Sequence, residues 1–291
     1  VNGGEQNVAI GNYSLDALTS GDNNVAVGFE ALTTNTANTG IVAVGYRALA
    51  TLNGGDGQSV AVGQQALEAN TTGAYNTAVG MNALKANTDG ATNVAVGSDA
   101  LIGNTTGDRN IGIGQATIYQ ADTENDNIAI GNAALAGVIA GGEQNVAIGS
   151  NSLDALTSAD HCVAVGFNTL TDLTTGGNNT AIGYEALANV VGGTSNTALG
   201  FFAGGTITSG SNNIAIGFDA GRAGSPGGAL GTGNNQLCLG DENITNAHVQ
   251  VDWTVASDKR DKTDISAIDI GLEFINKLEP VTYRWDKRSK Y

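Results

Sequence analysis

Proline, cysteine and cationic side chains are all scarce in this chain. Two prolines in 291 residues, with no Gly-X-Y triplet, exclude a collagen-like design. The two cysteines, Cys162 and Cys238, lie far apart without metal-ligand spacing, which excludes a disulfide scaffold and reads as small core filling. His161 and His248 have no ligand-like company, so neither a metal nor a cofactor is expected. Only 12 Lys and Arg stand against 28 Asp and Glu, a net charge of −16. Binding to a phosphate backbone needs a basic face, so no nucleic-acid partner is expected. No apolar run approaches the ~20 residues of a membrane span, and membrane insertion is not expected either. Val1 is not an initiator and no signal-peptide pattern follows it, which points to a mature or partial chain.

Glycine is what the chain has in excess, with 43 residues, beside 41% hydrophobic residues, too many for a disordered tract. The stretch GGEQNVAIGNYSLDALTS at 3–20 returns almost unchanged at 141–158. Its core, NVAIG, recurs as NVAVG, IVAVG, SVAVG, NTAVG, NIGIG and similar forms, closing on Gly11, Gly28, Gly45, Gly63 and so on to Gly217 and Gly240. Successive glycines stand 17 or 18 residues apart, except for a last step of 23. A fixed period of this kind means stacked units, none of which buries its apolar face alone.

Within each motif, branched residues alternate with a central Ala (once Gly112, once Cys238), the period-two signature of a strand. The branched face is expected to fill a core, and the small face to lie where another backbone comes close, between chains. The closing Gly marks a corner or a positive φ. Four residues on comes a second apolar point, Leu15, Leu32, Leu49, Leu67 and onward to Leu187, in a segment that reads as either a short strand or a helical turn. A turn rich in Asn, Thr and Gly closes the unit. The Asn that heads most motifs, from Asn7 and Asn24 to Asn213, would stack in successive coils and bond along the axis.

The fold expected is therefore all-β: a parallel β-solenoid or β-roll of 17–18-residue coils, with a small α+β segment at the C-terminus; the resemblance given below implies a homotrimeric fibre. Residues 1–240 form the repeat shaft, 241–256 a connecting strand segment, and 257–291 a different module. Charge marks the last boundary: 1–256 hold four basic and twenty-one acidic residues, 257–291 eight and seven. A lone coil carries too little apolar bulk to offset the entropy of ordering it, so association with further copies is expected.

The ladder resembles the head repeats of trimeric autotransporter adhesins, a trimeric left-handed β-roll, and still more the NTAVGxxALxxNTTG arrays of phage tail fibres. At the other end, SDKRDKTDI (257–265) followed by GLEFINKLEPVTYRW (271–285) resembles the start of the intramolecular chaperone, or auto-processing, domain of phage tail spikes and fibres. That resemblance implies a domain that trimerises, guides folding of the β-rich stalk and cuts itself off between Ala256 and Ser257, with Ser257 as nucleophile and Lys262 as its base. Spacing alone does not pair them: residues five apart share no face of a helix or strand, so a turn or another chain must bring them together. A Lys base also needs burial or a cationic neighbour to lose its proton. The family domain is about a hundred residues, of which 35 follow the cut.

The function implied is a structural tail-fibre shaft involved in host attachment, with self-cleavage as its single catalytic act. Its place would be the virion tail, assembled in the host cytoplasm. Its partners would be its own copies, other virion tail proteins and a host surface receptor, contacted through the variable turns or the Gly-rich loop 221–235. A bacterial trimeric surface adhesin head is the alternative. A polysaccharide-cleaving solenoid would need paired carboxylates in a groove, whereas the acids here are scattered over turns. Ice-binding Thr ladders and calcium-binding repeats do not fit either; NGGDGQ at 53–58 is a lone near miss for the latter.

Overall fold

The computed structural model describes residues 4–55 and 57–248. The chain divides into two compact units, Val1–Thr245 and Asn246–Tyr291. In the first unit, fourteen three-residue strands run from β1 (Val8–Ile10) to β14 (Leu237–Leu239) in one parallel sheet whose spatial order is the chain order. Each strand pairs in register with the strand one coil on, as in Val8↔Val25, Ala9↔Ala26 and Ile10↔Val27. The architecture is thus a parallel β-solenoid, with no helix among the described residues. At about 4.8 Å per strand, fourteen rungs span about 60 Å. The α+β segment expected over 257–291 lies outside the described residues.

The closing glycines do what their position demands. Gly28, Gly45, Gly63 and Gly80 have φ between 139° and 141°. A Cβ on Gly28 would overlap the carbonyl of Gly45 in the next coil, and the same holds up the column as far as Gly200. The segment after each glycine is neither strand nor helical turn. It alternates through left-handed residues, such as Glu30 (φ 55°) and Leu32 (φ 53°) or Arg47 (φ 54°) and Leu49 (φ 49°). A branched-chain residue rarely accepts this conformation. The next coil rewards it here, because Leu32 N–H donates to Ala48 O at 3.0 Å, and Leu15 N–H to Ala31 O at 3.1 Å.

The sidedness of the strands is the reverse of the expectation. The small central residue points inward and is buried: Ala26, Ala43, Ala61, Ala78 and Ala95 have no exposed surface. The branched residues flanking it point outward and are half-buried or exposed. A coil of 17 residues encloses so narrow a lumen that the strand can contribute only a methyl group once the corner leucine has entered. Even at Gly112 the missing Cβ would sit 3.3 Å from the Leu101 side chain. Cys238 takes the same inward position in β14 and Cys162 the Asn position, both buried, so the cysteines are core fillers. Burial pushes the Cys162 thiol above its ordinary pKa.

Two polar ladders run through this interior. The Asn heading most motifs bridges coils with both ends of its amide. Asn93 Oδ1 accepts from Asn110 N–H at 2.8 Å while its Nδ2 donates to Gly107 O at 2.8 Å. Thus the amides link to the backbone of the next coil more than to one another. The second ladder is invisible in the repeat pattern. Asn70, Asn87 and Asn104, three residues after the corner leucine, are fully buried. They bond side chain to side chain, Asn87 Nδ2 to Asn70 Oδ1 at 2.6 Å and Asn104 Nδ2 to Asn87 Oδ1 at 2.7 Å.

Candidate functional site: the outward strand face

Because alternation sends Ala inward, it sends two columns of branched residues outward. One runs through Val25, Val42, Val60 and Thr77, the other through Val27, Val44, Val62 and Val79, and both continue to Leu237 and Leu239 in β14. No strand residue carries a charge. Along the axis each side chain is shielded by those above and below; sideways it faces solvent, so that Ile113, Ile182 and Ile216 remain exposed. The result is a narrow apolar face running the length of the first unit. A continuous apolar face on a long element marks an interaction surface.

Beside it runs a third column, formed by the residue after each closing glycine. It reads Asn12, Phe29, Tyr46, then Gln64, Met81, Ser98, Gln115, Asn132 and Ser150, then Phe167, Tyr184, Phe201 and Phe218, and ends on Asp241. The aromatics stack rung on rung: Phe29 on Tyr46 at 5.7 Å, Phe167 on Tyr184 at 5.5 Å, Tyr184 on Phe201 at 4.9 Å and Phe201 on Phe218 at 5.4 Å between centroids. All of them are exposed at their outer edges.

Charges sit off this face, on corners and turns. Arg47 pairs with Glu30 at 3.1 Å and Glu68 at 2.6 Å, and Lys85 reaches Glu68 at 3.7 Å. Arg109 binds Asp126 in the next coil through two hydrogen bonds, which hold the Asp126 carboxyl below the ordinary range. Hydrogen bonds from Thr72 and Thr71 do the same for Asp89. These carboxylates already have partners within the solenoid wall.

The Gly-rich loop 221–235, expected as a receptor contact, belongs to the 23-residue coil. Ser225 Oγ accepts from Gly221 N–H and Arg222 N–H and donates to Asp219 O, which pins the loop. Leu230 plugs the interior. Arg222 lies over the Phe202 ring at 4.8 Å and pairs with Asp219 at 3.1 Å. A shallow cavity of about 210 Å³ opens here, lined by Asp219, Arg222, Ser225, Asp241 and Glu242 among others. Ala256, Ser257 and Lys262 lie outside the described residues, so the structure places neither the cut nor the pair.

Residues 257–290 match the family model for the chaperone of endosialidase, a peptidase family. That match starts at Ser257, supports a C-terminal chaperone segment and links it to self-cleavage. No curated protein and no solved structure matches the chain.

Proposed function

We propose that this chain is a shaft section of a phage tail fibre, assembled as a homotrimer, that helps carry the particle to its host. The observation that carries the reading is a chaperone-of-endosialidase segment at 257–290, downstream of a solenoid with a charge-free apolar face. The two parts explain each other physically. Near-identical coils are prone to pair one whole period out of register. A clamp at one end, holding three chains level before the ladder closes, removes that trap. Buried against sister chains, the outward Val and Ile columns would supply the apolar burial that the alanine-filled lumen lacks.

In this reading Ser257 Oγ attacks the carbonyl carbon of Ala256 and Lys262 takes its proton; the Ala256–Ser257 C–N bond breaks, the proton passes from Lys262 to the freed Ser257 amine, and an ester of Ala256 on Ser257 Oγ is left. Water then releases an N-terminal product ending at Ala256. The partners are sister chains, other virion tail proteins and a host surface receptor, with the virion tail as the place of action. The test is the native and denatured mass of the full chain, with Ser257→Ala and Lys262→Ala beside it. A trimer whose chains end at Ala256 in the parent, and remain uncut in both variants, is expected. A monomer removes the fibre reading; an uncut parent, or cleavage that persists in Ser257→Ala, removes the Ser257 mechanism.

A further inference from the structure

We propose that the segmented aromatic column is the register key with which copies of this chain align side by side. The inference rests on the self-association proposed above. The strand face cannot set register by itself. It presents Val, Ile, Thr or Leu at every rung, so sliding one copy by a whole coil leaves like beside like. The backbone ladder is equally periodic. The neighbouring column is not, because its rings occupy two blocks separated by a ring-free stretch that is polar except for Met81.

The occupant follows from geometry. In the longer block the rings are 4.9–5.5 Å apart with interplanar angles of 5–16°, so each inner ring face is already covered by the next ring. A sugar or base finds no free face between rungs, and the outward edges fit another apolar edge. The apolar strip beside them is continuous from β1 to β14, uncharged and spaced at one strand per rung over about 60 Å. A surface matching that spacing for that length is another copy of the same solenoid. Where two such columns run alongside, level copies put every ring beside a ring. A slip of one rung sets Tyr46 of one copy beside Gln64 of the next, and Phe218 beside Asp241.

The test uses the full chain with Gln115→Cys, an exposed position in the polar stretch, spin-labelled under native conditions that leave the buried native thiols unlabelled. Pulsed dipolar spectroscopy reads the distance between copies, and native mass reads their number. The parent is expected to show one narrow distance. With Phe167→Ser, Tyr184→Ser, Phe201→Ser and Phe218→Ser together, the mass is expected to stay while longer distances appear, as slipped registers populate. The pair Phe29→Ser and Tyr46→Ser gives the same reading at the other end, should the first set fail to fold. An oligomer of unchanged mass that keeps its single narrow distance overturns the register key alone. Dissociation of the variants to monomers also overturns it, since the rings would then supply affinity rather than alignment. A monomeric parent overturns both this inference and the self-association on which it stands.

Discussion

Asn70, Asn87 and Asn104 fill the same interior position as Leu156, Leu173 and Val190, three residues after the corner leucine, with opposite chemistry. Both sets are fully buried. In the first stretch the amides form a stacked chain and each also donates to the glycine carbonyl three residues on, as Asn87 Nδ2 does to Gly90 O at 2.9 Å. In the second the same volume holds aliphatic carbon. The solenoid thus tolerates polar or apolar filling, provided that each amide finds partners in a neighbouring coil or in its own turn. Asn35, whose neighbours in this column are Leu18 and Leu52, turns instead to its own turn, with Asn38 N–H donating to its Oδ1 at 2.9 Å.

The wall that encloses both stretches sets the upper limit on any substitution. Gly80→Ala and Gly183→Ala each drive a Cβ into the next coil's carbonyl at a φ of 141° or 135°. Each is expected to cost more than about 3 kcal/mol, from overpacking and backbone strain together. Equal losses in the polar and the apolar stretch, read from denaturant midpoints, would show that the wall is indifferent to its filling. Leu173→Asn should come next, at about 3 kcal/mol, because it removes a buried aliphatic group and strands an amide without a stacked partner. A loss below about 1 kcal/mol would mean that such a partner is unnecessary. Asn87→Leu should cost about 1–3 kcal/mol, since Asn70 Oδ1 loses its donor inside the lumen.

Replacing Asn70, Asn87 and Asn104 together by Leu is the sharpest comparison. It should cost no more than Asn87→Leu alone, because no side-chain amide is left unpaired and Asn76 and Asn93 still donate to Gly90 O and Gly107 O, although the buried Gly73 O loses its Asn70 donor. A triple variant less stable than the single one would sink the equivalence. The smallest effect is at Cys162, whose buried, proton-retaining thiol should resist alkylation at pH 8 in the folded protein and react once denaturant opens the coil. Fast native alkylation would show that the apolar stretch breathes.

Much of this was legible in residue order. Period two marked the strands, the invariant glycines marked the positive-φ corners, and the corner leucines marked the core. The heading Asn column was also readable as an axial ladder. Period two could not say which strand face lies inside, because alternation is symmetric until the lumen's width is known. The constancy of Ala at the strand centre was the available signal, since only an enclosed position rejects bulk so uniformly. The second Asn column was hidden because ANTT and GNTT read as turn composition. The left-handed leucines were hidden because local propensity opposes them and only the adjoining coil's carbonyl compensates. The Ser257 and Lys262 pairing rested on resemblance alone.

Order in space follows order along the chain from β1 to β14 without a crossover. Excising residues 81–97 would join Gly80 to Ser98 and return the same kind of junction on both sides. The solenoid would shorten by about 4.8 Å, losing Lys85 as a partner of Glu68 while the strand ladder closes over the gap. Length is therefore a quantity that recombination within the gene can adjust in single steps, like links taken from a chain, without redesigning anything that touches the cut.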